Sequence, residues 1–466
     1  MQSGWLVVLI VAGYIALLAL ISFLTGRSTR TASGFTSGGK SFPAVLIGFL
    51  LASEFIGTSA SIGTAQEAYE SGISAAWNIV SLGIGFVLFA SLLARKFSEL
   101  GENTISGALD RYYGRRVRTA TSMIMVCSLL IVAVSVYASG GAILSGLLGV
   151  DHDLTVLLVG VLATLYVVVG GMRSVVYTNV VHAIVKMAGV VILAIIGAQR
   201  AGGVDGLRAA LPPTMFSWHG VGFGQIFAWL IAGVGAIFAT QYVVQAITTA
   251  GSAHRAQRAG FYSALILVPY GLLAAFIGMC SAVVYPHLKS IQAMPAFAMD
   301  IDPVLAGIVV AGLAGAMFGT IAALVIGAST LLLKDFYQPH FNAAGDDRRD
   351  VLFLRAATVV TGLVPIALAL FATDVLTVTF LAKSLRAALA VLVLLMFYAP
   401  RYGTRSGAFW AIVLALPTTI GWFLLGDPFG IDNAYIAVAT PLLVMTCTHL
   451  TSGRSKTVPA VTGEKR

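Results

Sequence analysis

Glu54 is the first residue in the chain whose type and position imply chemistry. It sits inside the apolar run PAVLIGFLLASEFIGTSASIGTAQEAYE, residues 43–70, and Gly57, Thr58, Ser59, Ser61, Gly63 and Thr64 follow it closely. A carboxylate at the centre of a membrane span costs about 2.5 to 3.5 kcal/mol even on mild insertion scales, so it faces a protein interior or a wet cavity. Small and hydroxyl-bearing neighbours let the backbone unwind where it lines such a cavity. The stretch therefore predicts a discontinuous helix that binds a solute and an ion, with Glu54, Gly57, Thr58 and Ser59 in contact with the solute. A second group is Asn179, His182 and Lys186, whose i, i+3, i+7 spacing puts all three on one helical face. A buried lysine readily changes its protonation, so Lys186 could carry a coupling proton in a relay with Glu54 and His182. The plainer alternatives are that Lys186 snorkels to an interface or pairs with Glu54, and that His182 is a hydrogen-bonded packing residue. Gln241 and Gln245 lie one turn apart beside Tyr242, where they could bond a small polar solute or a neighbouring helix. Lys383 and Arg386 lie deep in a further apolar run and could meet a carboxylate substrate or brace a gate. Tyr69 and Trp77 read as interfacial aromatics.

Composition says what must hold these groups in place. The chain has 466 residues, 58% hydrophobic and 10% charged, with a mean hydropathy of +0.93, far from the roughly 25% charged of soluble domains. It is an all-α polytopic membrane protein. The net charge of +9 comes from basic residues in short loops between apolar runs, which is how orientation is encoded and gives no reason to expect nucleic acid. Cys127, Cys280 and Cys447 all fall in apolar segments without metal-ligand spacing. The loops carry no kinase, nucleotide-binding or hydrolase signature, and no nucleophile, base or metal cluster is visible, so an enzyme is not expected.

About thirteen spans reach the length a bilayer demands. They lie near 4–25, 43–65, 73–94, 119–148, 154–170, 174–198, 223–247, 259–284, 303–333, 351–372, 374–398, 406–425 and 432–449. Alternate loops separate the charge. One set holds 22 basic residues, including Arg27, Arg30, Lys40, Arg173, Arg454, Lys456, Lys465 and Arg466, and the other only Arg200, Arg208 and Lys289. This predicts an N-terminus outside and a C-terminus in the cytoplasm. The loop NTISGALDRYYGRRVR reads as an interfacial helix, and no loop is long enough for a soluble domain.

Three regions carry a resemblance: SGGKSFPAVLIGFLLASEFIGTSASIGTAQEAYESGISAAW (37–77), GGMRSVVYTNVVHAIVK (170–186) and AGLAGAMFGTIAALVIGASTLLLKDFY (311–337). Together they resemble signature regions of the sodium:solute symporter family. The resemblance implies a LeuT-type fold, in which five helices are repeated inverted by the next five. Here it implies a leading helix and loop (1–42), a first repeat (43–198), an outer loop (199–222), a second repeat (223–398), and two further helices with a short tail (399–466). It also implies a sodium site built from the backbone carbonyls of Ser53 and Ile56 with the eighth core helix, where the matching positions are Ala316, Gly319 and Thr320. One of the family's two hydroxyls there is kept and the other is Gly319, while the family's aspartate on the fifth core helix is Asn179.

The function these features imply is symport of a small polar organic solute across the plasma (inner) membrane, driven by sodium, with no other cofactor. The partners expected are the solute and the lipid bilayer, with no nucleic acid and no obligate protein partner. A proton-coupled symporter or a uniporter with a degenerate sodium site is the alternative within the same fold. A transporter-like sensor is the alternative outside it, and the short tail offers no signalling domain.

Overall fold

A computed structural model describes residues 2–26, 42–148, 150–344, 346–371 and 375–451. The basic residues Arg27, Arg30, Lys40, Arg454, Lys456, Lys465 and Arg466 lie outside the described residues, as do the side chains of Ser59, Arg173 and Ala316. Every regular element among the described residues is helical.

A leading helix α1 (Gln2–Gly26) precedes the broken pair α2 (Ala44–Phe55) and α3 (Thr58–Ser71). Next come α4 (Trp77–Leu92), the short α5 (Ala94–Leu100) and α6 (Ile105–Tyr113), and the long α7 (Arg115–Leu148) and α8 (His152–Arg200). The loop helix α9 (Gly203–Ala210) leads to a second broken pair, α10 (Phe223–Ala239) and α11 (Gln241–Thr248). Then follow α12 (Ala253–Val284), the loop helix α13 (Ala293–Met299) and α14 (Pro303–Leu331). The chain closes with α15 (Gln338–Phe341), α16 (Asp347–Ala369), α17 (Val375–Tyr398), α18 (Arg405–Leu424) and α19 (Asn433–Thr451). Starts are set by local chemistry. Asp151 accepts from the N–H groups of Asp153 and Leu154, and Asp302 accepts from those of Val304 and Leu305, ahead of Pro303 at the first helical position.

The expected count of thirteen spans is not established. Among the described residues nine helices are long and apolar enough to cross a membrane, or ten if α10 and α11 are one bent span. Trp5–Ile21, Ala44–Phe55 and His152–Leu165 are apolar but shorter. Two of the sequence spans, 154–170 and 174–198, fall in the single 49-residue α8. A straight helix of that length would reach roughly 74 Å, more than twice the hydrocarbon thickness, and within it Ser174–Arg200 is long and apolar enough to cross a membrane while His152–Leu165 is shorter. The GGMR run between them contains no proline, and glycine alone is a weak helix breaker, costing about 1 kcal/mol.

α14 is the axis of the bundle, buried over nine-tenths of its best window, packed between α8 and α7 and touched by α1. It ends in a π turn, Leu332–Tyr337, that delivers Asp335 inward. Asp335 accepts from Arg118 Nε at 2.6 Å and from the hydroxyls of Ser106 and Ser122, while Arg118 also bonds the Lys334 carbonyl at 2.9 Å. This cluster holds α6 against α7. The loop expected to lie as an interfacial helix is thus a helix whose apolar face, Ile105 to Leu109, is buried in the bundle.

Candidate functional site

The first break is where the sequence places it. α2 ends at Ile56 (φ −88°, ψ 56°), Gly57 is extended (φ −73°, ψ 171°), and α3 starts at Thr58. Breaking a helix leaves its last carbonyls without intrahelical partners, and here side chains from other helices take two of them. Thr320 on α14 donates its hydroxyl to the Glu54 carbonyl at 3.1 Å. Gly57 has no side chain because a Cβ there would stand 3.0 Å from that same hydroxyl. The ammonium of Lys186 on α8 donates to the Ser53 carbonyl at 2.7 Å and the Ser53 hydroxyl at 3.0 Å. A positive charge thus rests on a carbonyl at the negative end of a half-helix, a favourable position for any cation.

Asn179, His182 and Lys186 do share one buried face, directed at α14 and α2. His182 Nδ1 is 2.6 Å from the hydroxyl of Tyr14 on α1, while His182 Nε2 has no hydrogen-bond partner. Asn179 donates to the Val175 carbonyl at 3.0 Å and its Oδ1 is buried without a partner. The small residues of α14 make this approach possible. A Cβ at Gly315 would fall 2.5 Å from the Tyr14 hydroxyl, and one at Gly319 would fall 2.4 Å from Asn179 Oδ1. The two departures from the family pattern are therefore one packing solution, because the Asn179 amide fills the space that a hydroxyl-bearing side chain at 319 would need. Lys186 does not snorkel, being 2% exposed, and no ion pair within 4.0 Å joins it to Glu54 among the described residues. Glu54 is itself buried, with Oε2 lacking a hydrogen-bond partner. Ile56 contributes its turn out of the helix.

A second break, inside the expected span 223–247, occurs at Thr240 (φ −68°, ψ 130°), where α10 and α11 meet at 45°. The two breaks touch, since the ring of Phe55 lies 5.4 Å from that of Tyr242. Gln241 and Gln245 are buried and bonded to neighbouring elements. Gln241 accepts from the Ile105 N–H at 3.0 Å and donates to the Asn103 carbonyl at 3.1 Å, and Gln245 donates to Thr330 at 3.3 Å. Gln241 thus ties α11 to the start of α6, and Gln245 ties it to α14. Gln241→Leu is accordingly expected to lower stability by about 1 to 3 kcal/mol, because the Ile105 N–H is left unsatisfied, with solute selectivity unchanged in uptake assays. The groups bonded around the second break are Lys383 and Arg386 of α17 together with Asn78 and Ser128, neither of which stands out in the sequence.

A cavity of about 380 Å³ opens along α3 beyond the first break, lined by Ile62, Gly63, Gln66, Ser139, Pro295 and Leu313 among others. The loop helix α13 roofs it. The end of α8 is tied to that roof, with Arg200 and the Tyr285 hydroxyl both 2.6 Å from Asp300 Oδ2. The Tyr285 hydroxyl, with Arg200 beside it, holds the Asp300 carboxyl below its ordinary range. The tie is therefore present at neutral pH and lost only as pH falls below the usual carboxylate range.

The sodium:solute symporter family model matches residues 35–415, most of the chain. The chain belongs to the sodium:solute symporter family. The high-affinity proline transporter PutP of Bacillus subtilis is 24% identical over 430 residues, covering 86% of this chain and 89% of the relative. The sodium/proline symporter of Staphylococcus aureus is 23% identical, covering 79% of this chain and 76% of the relative. The outward-open, substrate-bound structure of a Na+-coupled sialic acid symporter superposes with a TM-score of 0.83 at 17% identity, over 97% of this chain and 99% of that one. At that identity the likeness establishes the fold. This member of the family is a multi-pass membrane transporter of LeuT-type architecture.

Proposed function

We propose that this chain moves a small polar organic solute across the cytoplasmic membrane by alternating access, N-terminus outside, coupled to a cation held at the first helix break. The observation that carries the reading is the pair of touching breaks with buried polar groups around them, an arrangement that is expensive in a membrane and serves to bind what is carried. Coupling then follows from the difference in affinity of the two ligands for the outward- and inward-facing states. Sodium is the cation that family membership and the sodium-coupled relatives support. Its ligands here would be the carbonyls of Ser53 and Ile56, the Thr320 hydroxyl, and backbone of α14 at Ala316. The packing of Asn179 against Gly319 supplies one hydroxyl fewer than the family pattern.

A second reading of the coupling ion rests on one contact. The Lys186 ammonium already sits on the Ser53 carbonyl that a sodium ion would need, so a proton carried by Lys186 can take the ion's place. Uptake into proteoliposomes under separately imposed sodium and proton gradients decides between the two. Accumulation driven by sodium at clamped pH supports the first reading, and accumulation driven only by protons supports the second. Equilibration without accumulation under either gradient would overturn both.

A further inference from the structure

Two buried cations, one of them bonded to the Thr240 hydroxyl at the second helix break, have no carboxylate within ion-pair distance among the described residues. Lys383 is 5% and Arg386 2% exposed, three residues apart on one face of α17. Lys383 donates to Asn78 Oδ1 at 3.0 Å and stands 4.4 Å over the Phe380 ring. Arg386 donates from Nε to the Ser128 hydroxyl at 2.8 Å and from Nη1 to the Thr240 hydroxyl at 3.1 Å. All of these oxygens are neutral, and among the described residues no ion pair within 4.0 Å involves either cation. Of the other buried carboxylates, Asp335 is held by Arg118 and Asp350 accepts from Gln338 and Asn342. Among the described residues, three buried cations, Lys186, Lys383 and Arg386, thus lie around the touching breaks against one buried carboxylate, Glu54.

An uncompensated buried charge is costly, and a guanidinium cannot shed its proton to escape that cost. The hydroxyls of Ser128, Thr240 and Tyr242 engage three of the five Arg386 donors, leaving capacity for an incoming acceptor. Two independent features point the same way. The hydroxyls of Thr58, which opens α3, and of Ser384, which lies between the two cations in sequence, are buried without hydrogen-bond partners. The half-helices α3 and α11 also both begin at the breaks, so their positive ends converge on this region. Asn78 extends the cluster to the first break by donating to Thr64 Oγ1 at 2.9 Å.

We propose that Arg386 and Lys383, positioned by Ser128, Thr240 and Asn78, form the binding site for the carboxylate group of the transported solute. This rests on the transport reading above and names the solute class as small organic carboxylates, including zwitterions. A planar guanidinium fork beside an ammonium matches a two-oxygen anion better than a spherical one. Binding such a group would halve the uncompensated positive charge at the junction, from two to one, and draw α17, α10 and α7 together.

The test is ligand-induced thermal stabilisation of the purified full-length protein at fixed sodium and pH. Lactate and proline are compared with lactamide, prolinamide, choline and sodium iodide. At least one carboxylate is expected to bind at least tenfold more tightly than its amide, and Lys383→Met and Arg386→Lys are expected to remove most of that preference. Equal binding of amide and carboxylate, equal stabilisation by iodide, or no stabilisation by any carboxylate would overturn the proposal, and none of these outcomes depends on a variant folding. Uptake separates the two levels of inference. A carboxylate that binds but is never accumulated counts against transport and leaves the site, whereas accumulation of a neutral solute alone counts against the site and leaves transport.

Discussion

Lys186→Met is expected to abolish any solute accumulation driven by a proton gradient and to raise apparent sodium affinity at neutral pH by roughly tenfold or more. The variant removes a charge-assisted bond to the Ser53 carbonyl, a contact typically worth about 1.5 to 3 kcal/mol, and a tenfold change in affinity corresponds to about 1.4 kcal/mol. A sodium ion that needs this carbonyl must displace the ammonium, so removing the ammonium removes a competitor. Methionine keeps the length and apolar stem, so the small pocket lined by Lys186, Gly189, Tyr270 and Met294 stays filled. Sodium activation curves and pH-jump uptake on wild type and variant read the effect. A lysine with a purely structural role would change melting temperature and leave the ion dependence where it was.

Gly319→Ser is expected to destabilise the protein by about 1 to 2 kcal/mol rather than restore an ion ligand. Replacing a helical glycine contributes up to about 1 kcal/mol of helix propensity. Against it, the new Cβ stands 2.4 Å from Asn179 Oδ1 and 3.1 Å from His182, and overpacking of this kind costs about 1 to 3 kcal/mol. Asn179 has little room to yield, being fully buried with its amide held by the Val175 carbonyl. In an Asn179→Ala background the clash disappears, so the same Gly319→Ser change is expected to become neutral or stabilising. A double-mutant cycle by thermal denaturation measures this coupling. Equal effects of Gly319→Ser in both backgrounds would show that the two positions are independent.

The first break was legible in the sequence because membrane helices seldom carry a glutamate followed by glycine and three hydroxyls, and the shared face of Asn179, His182 and Lys186 follows from helical spacing alone. The second break left no comparable mark. Around Thr240 the run AIFATQYVVQ has neither glycine nor proline, and its discontinuity is sustained by tertiary bonds such as that from Arg386 to the Thr240 hydroxyl. For Gln241 and Gln245, polarity and one-turn spacing allow either a solute contact or an interhelical bond, and sequence alone does not show that the Ile105 N–H needs an acceptor. Tyr14 was illegible for a different reason. A tyrosine in a leading helix reads as an interfacial aromatic, and its contact with His182 through the gap left by Gly315 shows that α1 reaches the buried polar face of α8. Lys383 and Arg386 were visible as buried cations, but their partners, Asn78, Ser128 and Thr240, are ordinary residues in apolar runs.

The most direct measurement is the apparent sodium affinity of the wild-type protein as a function of pH, read from sodium-dependent stabilisation or uptake. If the Lys186 ammonium and the coupling ion share the Ser53 carbonyl, protons and sodium compete, and where the lysine is protonated the sodium affinity is expected to fall about tenfold for each unit of pH decrease. The same curve in Lys186→Met is expected to be flat. A wild-type sodium affinity that does not change with pH would show that the ammonium and the ion occupy different places, and would contradict the assignment of the first break as the cation site.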